Sequence, residues 1–69
     1  MNKFSNVSNT ILSQVIDEWI KSERNRKILK RRLIDGICYE PLAEEFDLTV
    51  DRIKQIIYKE NTIIEKHIG

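Results

Sequence analysis

The chain has 69 residues, a formal net charge of +1 and one cysteine, one histidine and one proline. That length bounds it to one domain, 1–69, that buries only about 60% of its unfolded surface and so is marginal alone. A lone Cys38 and a lone His67 exclude a disulfide framework and a Cys/His metal cluster, no apolar run approaches a membrane span, and Met1–Ser8 lacks the features of a signal peptide, so the expectation is a cytoplasmic protein away from any membrane.

The first helix is expected over about residues 9–21. Val7, Ile11, Leu12, Val15, Ile16, Trp19 and Ile20 recur at steps of three and four, which makes one apolar stripe. Ser8 or Asn9 caps its start. Trp19 reads as a core anchor on that stripe; an exposed Trp19 would mark an interface instead. Ser22 and Asn25 offer a break, so the first helix either stops there or continues into the next.

The second helix is expected over about Glu23 to Ile34, with Ile28, Leu29 and Leu33 inward and Gly36 ending it in the left-handed region. Between Lys21 and Arg32 lie seven basic residues and one acid. The cations Arg26, Lys27, Lys30 and Arg31 on this helix suit contact with phosphates, or simply form a solvated face.

A short third helix is expected over Tyr39 to Phe46, with Tyr39, Leu42, Ala43 and Phe46 on one side. Pro41 falls in the first turn, where its missing N–H costs little. Cys38 reads as a buried or half-buried thiol. From Leu33 to Asp51 there are six acids and no base. Glu44, Glu45 and Asp47 among them keep this helix soluble, pair with the basic helix, or meet a basic protein partner.

The fourth helix is expected to start after Asp47-Leu48-Thr49, with Thr49 as N-cap and Asp51 favoured by the helix dipole in the first turn. Ile53, Ile56 and Ile57 face inward. Ile63, Ile64 and Ile68 continue the stripe, unless Thr62 and Glu65 form a capping box and begin a separate turn. His67 reads as a solvated residue near the terminus. The whole is an all-α bundle of four to five helices.

The third and fourth helices, joined by about three residues, have the spacing of a helix-turn-helix over about 39–59. Ala43 at the crossing, Leu48 in the turn, Thr49 as cap and Ile53 and Ile56 packing back complete that pattern. On a helical projection Asp51, Gln55 and Tyr58 lie opposite the buried isoleucines, with Lys54 and Lys59 beside them. Gln55 has the chemistry to read adenine in a major groove, and Asp51 could accept from cytosine. Arg52, Lys54 and Lys59 would hold phosphates, and Tyr58 would pack on sugar or phosphate.

Residues 25–58, "NRKILKRRLIDGICYEPLAEEFDLTVDRIKQIIY", resemble region four of sigma-seventy-type factors and the small proteins like it from Firmicutes and their phages. The shared pattern is a basic helix, Gly36, Tyr39-Glu40, Ala43, Phe46, the cap Thr49 and the run Arg52-Ile53-Lys54-Gln55-Ile56. The resemblance covers about half of the chain. It implies sequence-specific binding of double-stranded DNA in transcription regulation, and it adds Thr49 and Val50 to the DNA face; with no phosphate loop, no HExxH and no catalytic triad set in the chain, neither catalytic activity nor a cofactor is expected. The chain departs from the pattern at Val50, where the family often has a DNA-contacting Arg, at Asp51 in place of Glu, and at Cys38 in place of Thr. A second expectation uses the same scaffold as a phage or mobile-element interaction module, binding RNA polymerase or inhibiting a host nuclease as anti-CRISPR proteins do. Half-site recognition would make a homodimer useful, with the first helix or the Ile63–Ile68 tail as interface.

Overall fold

In the computed structural model, which describes residues 7–68, four helices follow one another: α1 (Asn9–Trp19), α2 (Glu23–Leu33), α3 (Tyr39–Glu45) and α4 (Val50–Ile68). Each starts and stops for a local reason. Ser8 caps α1, its Oγ accepting from the Ile11 N–H at 3.2 Å. Ser22 caps α2 in the same way, accepting from the Asn25 N–H at 3.3 Å. The break between the first two helices is therefore real. Ile20 and Ser22 are extended, Ile20 is buried, and the corner is closed by Arg26, whose Nε donates to the Ile20 carbonyl.

At the end of α2, Gly36 takes φ +73, a conformation that costs an L side chain about 1–2 kcal/mol. The chain folds back around it, with the Ile37 N–H donating to the Arg31 carbonyl at 3.0 Å. The end of α3 makes the same kind of reversal without a glycine. Asp47 sits at φ 55, its N–H donates to the Glu44 carbonyl and that of Leu48 to the Ala43 carbonyl. This pair of bonds is the Schellman arrangement, with Asp in the place glycine usually fills. Thr49 then caps α4, its Oγ1 accepting from the Arg52 N–H at 3.1 Å.

The helix α4 is the axis of the molecule, packing against α1, α2 and α3. Its inward face carries Ile53, Ile56, Ile57, Glu60 and Ile64, which meet Leu12 and Ile16 of α1, the buried Ile20, Ile28 and Leu29 of α2, and Leu42 and Ala43 of α3 in one core. The radius of gyration, 11.1 Å, is what one compact body of this length should have, about 11 Å. The separate turn offered by Thr62 and Glu65 does not form. Thr62 instead donates its hydroxyl to the Tyr58 carbonyl one turn back, and α4 runs unbroken for 19 residues. No helix among the described residues is long and apolar enough to cross a membrane.

Three expectations about single residues are corrected. Trp19 is 46% exposed rather than a core anchor. It points along the α1 core stripe, but α1 ends there and only the last turn of α4 lies at that level. His67 is not merely solvated: it lies flat on Trp19, ring centres 3.7 Å apart and planes 3° from parallel. Cys38 is exposed, because the N-cap position of α3 lies outside the packed face, and it makes no side-chain cap bond.

Candidate nucleic-acid interface

The outer face of α4 begins at its cap. Thr49, Asp51, Arg52, Gln55, Tyr58 and Lys59 are all exposed, and Tyr58 keeps 64% of its surface open. Residues three and four apart on a helix are neighbours, so Asp51, Gln55 and Tyr58 form a continuous strip with Arg52 and Lys59 along one edge. Arg52 and Lys59 have no ion-pair partner among the described residues. Thr49 is committed through its hydroxyl to the cap. Val50 is half-buried and lines a shallow depression of about 380 Å³ with Cys38, Tyr39, Pro41 and Lys54.

Lys54 is half-buried for a specific reason. Its ammonium stands 5.5 Å from the centre of the Tyr39 ring, and Arg32 of α2 stands 4.4 Å from the same ring. A ring face attracts cations at this range. Tyr39 thereby gathers one cation from α2 and one from α4 beside the start of the exposed strip. Arg32 also donates to the Ile37 carbonyl at 3.1 Å, which fixes the loop before α3. Sequence reasoning missed Arg32 as a member of this group; the signal available was an Arg four residues before the helix-ending Gly36.

The α2 cations divide by their partners. Arg31 donates from Nε and Nη2 to one Glu45 oxygen, at 3.2 and 3.0 Å, and from Nη1 to Asp35 at 3.2 Å. Hydrogen bonds to Glu45, then to Asp35, raise its pKa above the ordinary guanidinium value, so it stays a cation at every accessible pH. Lys30 meets Asp17 of α1 at 2.7 Å. Arg26 closes the α1–α2 corner. Lys27 has only a long contact to Glu23, 3.9 Å, with both side chains open to water, which leaves it free to take a stronger anion. Of the three roles open to the acidic block, pairing with the basic helix is realised by Glu45 and Asp35.

Beneath this surface lies one more polar group that periodicity did not single out. Glu60 is 7% exposed, inside the isoleucine stripe of α4, and accepts from the Asn25 amide at 3.0 Å. A carboxylate in that position requires a donor, and Asn25, in the first turn of α2, supplies it. No family model, no curated protein and no solved structure matches the chain.

Proposed function

We propose that the protein is a helix-turn-helix module that binds double-stranded DNA sequence-specifically and regulates transcription in the manner of the sigma-region-four-like proteins it resembles. The observation that carries this reading is the outer strip of α4, where Asp51, Gln55 and Tyr58 stand exposed beside Arg52 and Lys59, cations without an ion-pair partner among the described residues. A helix that buries one face on the bundle and offers polar, hydrogen-bonding groups on the other is the element a major groove admits. In this mechanism α4 enters the groove by its first three turns. Gln55 meets a base edge, and Arg52, Lys54 and Lys59 hold phosphates. Of Arg26, Lys27, Lys30 and Arg31, Lys27 is the one that adds to this footprint at least cost. Lys30 and Arg31 would first have to give up Asp17 and Glu45.

The test is duplex binding by anisotropy with single alanine variants. Lys59→Ala and Arg52→Ala weaken binding evenly across sequences and each lower the salt slope by about 1. Arg31→Ala changes the slope less than either. Equal slopes for all three variants and the parent would refute this assignment of the contacts.

The neutralised state of Lys30 and Arg31 favours a second reading, an interaction module for a protein such as RNA polymerase or a host nuclease. Recovery of one stoichiometric protein from extract, with no duplex affinity, selects it.

A further inference from the structure

The apolar surface left open at the far end of the molecule is not explained by the outer strip of α4. Trp19 is 46% exposed and Ile11, two turns earlier on the same edge of α1, is 50% exposed, with half-buried Val15 between them. Residues at i, i+4 and i+8 form a continuous ridge on a helix. The ridge ends in the Trp19–His67 stack, so two flat rings, both on exposed residues, close it. Exposed aromatic surface of this kind anchors interfaces.

The charges around the stack carry both signs. Glu18 precedes Trp19 and Lys66 precedes His67; both are exposed, and neither has an ion-pair partner among the described residues. A two-fold interface must be complementary to itself, so an acid on α1 and a base on α4 flanking an apolar ridge are suited to meeting their own copies. From these observations we propose that two copies of the chain pair through this ridge, Trp19 against its symmetry mate and Glu18 of each opposite Lys66 of the other.

The size of the ridge sets the strength. An 11-residue helix edge of about 16 Å covers less than the roughly 800 Å² per partner of a standard interface. The dimer therefore belongs to the weak, transient class of interfaces.

The experiment uses the full chain without DNA. Trp19 is the single tryptophan, so its emission reports the interface directly. Between about 1 µM and 1 mM, the span of weak association, the expected result is a blue shift together with a rise in sedimentation mass from 8.2 kDa towards twice that value. A mass of 8.2 kDa throughout overturns the proposal and leaves the ridge to a different protein. Because Trp19→Ala also removes the His67 stack, Glu18→Lys is the sharper variant, and thermal melting checks its fold. It weakens the dimer at least tenfold, and adding Lys66→Glu restores it. A dimer unmoved by Glu18→Lys and by Ile11→Lys overturns this surface. Salt-dependent duplex binding by a strict monomer would sink the dimer and leave the DNA reading standing; a dimer without duplex affinity does the reverse.

Discussion

Gln55 lies on the outer face of α4 and Thr49 caps its start, and the two differ in what they contribute to the fold. Gln55 is exposed and contributes no described contact to the fold, so Gln55→Ala leaves the melting temperature unchanged. If it reads a base, the variant loses about 1–3 kcal/mol of discrimination at one position, measurable by competition between duplexes differing at single sites. Thr49 is tied to the Arg52 N–H, so Thr49→Ala lowers stability by about 1 kcal/mol, read from urea denaturation. Asp47 tests the backbone rather than a contact. Its φ of 55 costs about 1–2 kcal/mol in an L residue, and Asp pays less of this than most. Asp47→Gly removes the strain but frees the unfolded chain by a comparable amount, so it stays within about 0.5 kcal/mol of the parent. Asp47→Val at the same φ loses more than about 1 kcal/mol. Equal denaturation midpoints for the two variants would contradict the strained reading.

At the level of elements, the apolar periodicity and the caps were legible because both are local. The isoleucine stripe of α4, the serine and threonine caps and Gly36 each declare themselves within four residues of where they act. The choices left open were those decided by tertiary packing. Whether α4 continued past Glu60 depended on Ile64 finding the α1 side of the core, which it does, being fully buried. Ile64→Ala should therefore cost about 2–5 kcal/mol in urea denaturation, a large share of the stability of a domain this small; a cost near zero would mean the last turns are not held. The corrections have the same origin. Trp19 follows the core stripe by periodicity, but at the end of α1 it meets the last turn of α4 through His67 and stays 46% exposed. The basic face of α2 was legible as composition, whereas its division into paired and free cations depended on Asp17 and Glu45, 13 and 14 residues from their partners in sequence. The reversal at Asp47 carried no glycine to announce it.

For the whole molecule, near-neutral charge conceals an uneven surface. The acids of α3 and the loop before it are partly spent on Arg31, while Arg52 and Lys59 on α4 have no ion-pair partner among the described residues. In the proposed mode of binding, the electrostatics therefore rest on the first three turns of α4, with Lys27 in support, rather than on the dense basic run of α2. That assignment sets a modest number of phosphate contacts, and the number can be read from salt. Anisotropy of a labelled random duplex titrated with the protein between low and physiological salt measures it most directly. With three to four phosphates neutralised, the logarithm of the binding constant falls with the logarithm of salt at a slope of about −3 to −4, and binding at low salt is readily detected. Affinity no better than about 10⁻⁴ M at physiological salt together with a slope near zero would contradict the DNA-binding account.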